Sequence, residues 1–98
     1  MTFQKLILKS HREADDNYRG EVLRYGHWRI IVCRDHLQWI IQRQTRALSP
    51  AGPRWKAEHY CATKKAVMRL WPGSLATVQQ LDAMLPEHVK FFSLGCVA

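Results

Sequence analysis

The stretch HWRIIVCRDHLQWIIQRQ, residues 27–44, decides the fold. Two runs rich in Ile, Val and Trp, 27–33 and 37–44, flank the short polar turn Arg34-Asp35-His36. That pattern predicts an antiparallel hairpin. With Asp35 and His36 at the centre of the turn, Val32 faces Trp39, Ile30 faces Ile41 and Trp28 faces Arg43 on one side. Ile31 faces Ile40, Arg29 faces Gln42 and Cys33 faces Gln38 on the other. The first side is a core face. The second threads Arg and Gln around a small apolar centre, as either a solvated sheet face or a surface that holds something.

Outward from the hairpin, residues 2–9 predict a first strand, 10–20 a polar loop and 21–26 a short strand ending at Gly26. The segment TRALSPAGPR, 45–54, carries two Pro and a Gly and predicts an exposed loop. Residues 55–61 predict another strand, with Trp55, Ala57, His59 and Cys61 on one side and Arg54, Lys56, Glu58 and Tyr60 on the other. Thr63 is placed to cap a helix over 64–71, stopped by Pro72-Gly73, and Ser74 one over 75–85, stopped by Pro86. Leu75, Val78, Leu81 or Asp82, and Leu85 recur at helical spacing and predict an inward stripe. The tail FFSLGCVA, 91–98, is apolar and reads as a core-docking, partner or homodimer segment. The expectation is one domain over 1–98, of α+β class: an antiparallel sheet of four to five strands with two C-terminal helices on one face.

Charge narrows the function. Lys and Arg number 15 against 8 Asp and Glu, for a net charge of +7, a balance typical of polyanion binders. Residues 1–18 sum to zero, 19–69 carry eleven bases against three acids, and 70–98 sum to −1. The sequence therefore locates the excess in the middle of the chain. If the polar sides of the strands align, Arg29, Gln38, Gln42, Arg54 and Lys56 share one surface. Arg43 stands at the end of the hairpin, and Lys64, Lys65 and Arg69 give the first helix a basic edge. Arginine and glutamine have the planar donor geometry that clasps phosphates and reads base edges. Gln38 and Gln42 are the base-reading candidates; the cations would make phosphate contacts.

Other chemistry has less support. Cys33, His36, His59 and Cys61 form a Cys₂His₂ set, but without the spacing of known zinc motifs. No glycine-rich phosphate loop or nucleophile elbow is present, Asp15-Asp16 reads as turn chemistry, and no enzyme and no cofactor is expected. Three widely spaced cysteines point to a reducing, cytoplasmic setting. No apolar run reaches membrane-spanning length, and the N-terminus does not read as a signal peptide.

YRGEVLRYGHW (18–28), with Tyr18-Arg19-Gly20, Gly26 and Trp28 in place and TKKA (63–66) opening a helix, resembles the ethylene-response-type DNA-binding domain and the phage-integrase arm-binding domains. The resemblance implies a three-stranded sheet packed on a helix, with Arg and Trp of the sheet on DNA. In size and style the chain is also similar to small prophage or mobile-element proteins, anti-CRISPR inhibitors among them. The expected function is a small basic module binding nucleic acid or a nucleoprotein complex. The alternative is an inhibitor of a host defence complex that docks on an acidic or RNA-binding protein surface.

Overall fold

The computed structural model describes residues 9–45 and 52–92. Four strands, β1 (Glu21–Tyr25), β2 (Trp28–Val32), β3 (Trp39–Gln44) and β4 (Trp55–Cys61), form one antiparallel sheet in the order β1-β2-β3-β4. Two helices follow, α1 (Lys64–Leu70) and α2 (Leu75–Met84), then a single 3-10 turn, Val89–Phe91. The class is α+β. The expected first strand falls largely on residues 2–8, outside the described residues, as do most of the loop at 46–51 and residues 93–98 of the tail.

The central hairpin has the register its alternation requires: Trp28 pairs with Arg43, Arg29 with Gln42, Ile30 with Ile41, Ile31 with Ile40 and Val32 with Trp39. A residue slip would turn every apolar side chain to the wrong face, so burial on both faces pins it. The turn is closed by Cys33 N–H donating to the Gln38 carbonyl at 2.9 Å, with His36 in the left-handed region at φ 57°. The β1–β2 hairpin has a two-residue turn in which Gly26 sits at φ 60°, the place where such turns favour glycine.

Both helices have the predicted caps. Thr63 Oγ1 accepts from Ala66 N–H at 3.2 Å and Ser74 Oγ from Thr77 N–H at 3.3 Å. Val67, Trp71, Leu81, Leu85 and Val89 pack over Ile30, Val32, Trp39, Ile41 and Cys61 to make the main core. Full burial of each such side chain is worth about 1.5–3 kcal/mol. Leu75 departs from the predicted stripe: it is 72 % exposed, in the first turn of α2. From the tail, Phe92 meets the Trp39 ring edge-on at 5.8 Å. The chain after α2 returns to α1, where Lys64 N–H donates to the Glu87 carbonyl at 3.0 Å.

The opposite face is not a solvated sheet surface. The segment 9–20 lies across it, and Tyr18, Ile31, Cys33 and Ile40 form a second, smaller core there. Tyr18 is buried and its hydroxyl donates to the Val32 carbonyl at 2.8 Å. Gly20 lets this segment approach β2: a Cβ there would stand 2.7 Å from the Val32 carbonyl oxygen. The sheet is therefore sandwiched, by helices on one side and by an irregular segment on the other.

Candidate nucleic-acid interface

Arg29 explains why an irregular segment can lie on a sheet. Its side chain is fully buried. Nε donates to Gln42 Oε1 at 2.7 Å. Nη1 donates to the Asp16 carbonyl at 3.1 Å and to Glu21 Oε1 at 3.0 Å. Nη2 donates to the carbonyls of Glu13 at 3.0 Å and Asp15 at 2.8 Å. All five guanidinium N–H donors are thus engaged. The guanidinium carbon lies 4.4 Å from the centre of the Trp55 ring, a cation–π contact. Gln42 completes the set by donating Nε2 to the Glu13 carbonyl at 2.9 Å. Burial pulls the Arg29 pKa down, and Glu21 opposes that shift by hydrogen bond and charge. The Arg and Gln threaded through the hairpin therefore bind the protein's own backbone. Arg29 and Gln42, expected on a binding surface, are withdrawn from it by burial.

The other expected contacts separate. A bulge between Ile41 and Gln42 sets two β4 residues against one of β3. It reverses the alternation of β4: Tyr60 and Ala57 pair on the side of Ile40 and Gln42, whereas Lys56 pairs with Arg43 on the helix side. The expected grouping of Lys56 with Arg29 and Gln42 is corrected accordingly. Trp55 joins Arg29 on the segment side instead of following His59 and Cys61. Arg43 is in an ion pair with Glu58 at 3.1 Å, Arg54 with Asp15 at 3.8 Å and Lys64 with Asp82 at 3.0 Å. Lys65 and Arg69 are exposed on α1, and Gln38 is half-buried beside the β2–β3 turn.

The Cys₂His₂ set is also dispersed. Cys61 packs in the helix-side core and Cys33 in the segment-side core, where its Sγ accepts from Leu37 N–H at 3.1 Å. Burial pushes the Cys61 thiol pKa up. Among the described residues no three His, Cys, Asp or Glu are placed to hold a metal ion.

What the fold assembles instead is a basic end at the β2–β3 turn. Arg34 stands in the turn. Arg34 N–H donates to Glu13 Oε2 at 2.8 Å, which brings His11 and Arg12 alongside. On the other flank, Val32 N–H donates to the Gly20 carbonyl at 2.9 Å and Arg19 N–H to the Ser10 carbonyl at 3.0 Å, which brings in Arg19 and Lys9. Lys9, Arg12, Arg19 and Arg34 are all exposed, and none forms an ion pair with a described acid. Glu13 and Asp35 are the acids at this end, and Glu13 is engaged by Arg34 N–H. Two clefts flank the turn. One, of about 570 Å³, lies between His11–Ala14 and the sheet, with Gln38, Ile40 and Tyr60 along it. The other, of about 500 Å³, is bordered by Arg19, Arg34 and His36.

Sequence counting missed this end because it summed residues 1–18 to zero. The acids there are used internally. Asp15 accepts from Ser10 Oγ at 2.8 Å and faces Arg54. Asp16 accepts from Trp55 Nε1 at 2.9 Å and pairs with Arg24 at 3.0 Å. The Trp55 hydrogen bond, followed by the charge of Arg24, holds the Asp16 carboxyl below its ordinary pKa in spite of partial burial. Asp15-Asp16 is thus a pair of structural anchors rather than solvated turn chemistry. The bases of the same segment are left facing water.

Comparison with protein-family models, curated proteins and solved structures finds no match to this chain.

Proposed function

We propose that this protein is a small nucleic-acid-binding module whose basic end, around the β2–β3 turn, holds the phosphate backbone. The observation that carries this reading is the convergence of Lys9, Arg12, Arg19 and Arg34, from separate stretches of chain, with no acid paired to any of them among the described residues. Exposed cations held on a rigid scaffold release counterions when they meet phosphates, and that release supplies most of the affinity. Arginine at three of the four positions favours phosphate over a simple point-charge contact. The net charge of +7 supports the same polarity of partner.

The test is fluorescence anisotropy with labelled oligonucleotides over a series of salt concentrations. The wild type binds with a log-log salt slope that counts its phosphate contacts. The triple variant Arg12→Ala/Arg19→Ala/Arg34→Ala loses about two to three units of that slope. An unchanged slope with retained affinity would place the contacts elsewhere.

A further inference from the structure

We infer that the nucleic acid this end takes is single-stranded, with one unpaired base stacked on Tyr60 in the cleft beside the β2–β3 turn. The inference rests on the nucleic-acid reading above and adds the form of the strand. Tyr60 is 62 % exposed although it lies within a strand. It pairs with Ile40, a buried cross-strand neighbour on the same face that lines the same cleft, so its ring has an apolar side chain beside it. The segment 9–20 contacts Arg29 through the Glu13 and Asp15 carbonyls, and its residues 11–14 line, with Ile40 and Tyr60, the cleft of about 570 Å³. An exposed aromatic ring on a sheet surface, beside cations, is the arrangement on which unpaired bases stack.

The polar groups are distributed to match. Gln38 borders the cleft and offers an amide that can both donate to and accept from a base edge. Arg12 and Arg34, both exposed, line the cleft and are available to the flanking phosphates, and His11 lines it with them. The site is concave, whereas reading a duplex in its groove requires a protruding helix or ribbon with side chains free to reach base edges. The two side chains best suited to that role in the hairpin, Arg29 and Gln42, are committed to the Glu13 carbonyl and its neighbours. A base with no partner strand needs only a ring to stack on and an amide within reach.

The experiment uses the same anisotropy format with labelled single strands of about twelve nucleotides, as DNA and as RNA. The duplex of the same sequence and a single strand with abasic sites are run beside them. The wild type binds the single strand about tenfold or more tightly than the duplex or the abasic strand. Tyr60→Ala weakens single-strand binding by about tenfold while leaving the salt slope unchanged, because the phosphate contacts remain. Tyr60→Phe, which keeps the ring, binds as the wild type does. Duplex bound as tightly as single strand, or Tyr60→Ala without effect, overturns the inference and leaves the nucleic-acid reading standing. No binding of any oligonucleotide by the wild type overturns both and moves the search to an acidic protein partner.

Discussion

Arg29 is the residue on which the arrangement turns. A fully buried guanidinium is stable here only because all its donors find acceptors and its charge meets Glu21 at 3.0 Å. Three of those acceptors are main-chain carbonyls of Glu13, Asp15 and Asp16. These groups belong to a segment with little regular structure of its own; each has a second donor, Gln42 Nε2 for Glu13, Tyr18 N–H for Asp15 and Arg24 Nη2 for Asp16, and Arg29 is the one donor that ties all three to the sheet. Arg29→Ala is expected to destabilise the fold by about 3 kcal/mol or more, read as a fall in the urea midpoint. Arg29→Lys rescues little, because an ammonium cannot reproduce the planar fork. Full stability in Arg29→Lys would mean that charge alone, not geometry, holds the segment. Gln42 gives the same lesson in neutral form: one amide bonds both Arg29 and the Glu13 carbonyl, tying β3 to the segment.

Among the elements, the segment 9–20 acts as the missing layer of the sandwich. Strands alternate apolar and polar when one face is wet. Here β2 reads WRIIV and is buried almost throughout, because a second layer covers its other face. Tyr18 anchors that layer. Burial, then the nearby Glu13 carboxylate, pushes its pKa up to about 12 from the ordinary value of 10.0. A phenol harder to ionise in the folded state contributes stability that is fully present below pH 10. That stability is lost as pH rises from 10 through about 12, where the unfolded chain releases the proton first. Chemical denaturation across that window should show wild-type stability falling more than that of Tyr18→Phe, which has no proton to lose. The difference is on the order of 2 kcal/mol. Parallel curves for the two proteins would show that the hydroxyl bond to Val32 does not resist ionisation.

For the whole molecule, ion pairing redistributes the charge that the sequence carries. Residues 19–69 hold the excess of bases, yet five of them are matched: Arg24 and Arg29 with Glu21, Arg43 with Glu58, Arg54 with Asp15, and Lys64 with Asp82. Pairs of this kind at the surface contribute about 1 kcal/mol or less to stability. Their larger effect is on the external field, because a matched base adds little to the potential that a distant phosphate meets. The unmatched cations near the β2–β3 turn then dominate that end. Arg43→Ala/Lys56→Ala, at the other end of the hairpin, should therefore change the salt slope of nucleic-acid binding by less than one unit. A loss as large as that of the Arg12/Arg19/Arg34 variant would mean that the interface runs along the helix side of the sheet.

Local pattern determined much of this protein. The Ile, Val and Trp alternation of 27–44 set the hairpin and its register, because a slip of one residue would expose one core or the other. Thr63 and Ser74 set the starts of the helices through side-chain oxygens that meet orphan N–H groups within the next turn. These are short-range effects, and a single chain read in order contains them. The bulge at β4, which turned Lys56 away from the face of Arg29 and Gln42, left no mark in composition, since one extra residue in a strand looks like any other. The fate of Arg29 and the emergence of the basic end were decided only by tertiary structure. Whether a side chain is a contact, a clamp or half of an ion pair depends on which distant carbonyls and carboxylates the fold brings within about 3 Å, and sequence order does not encode that distance.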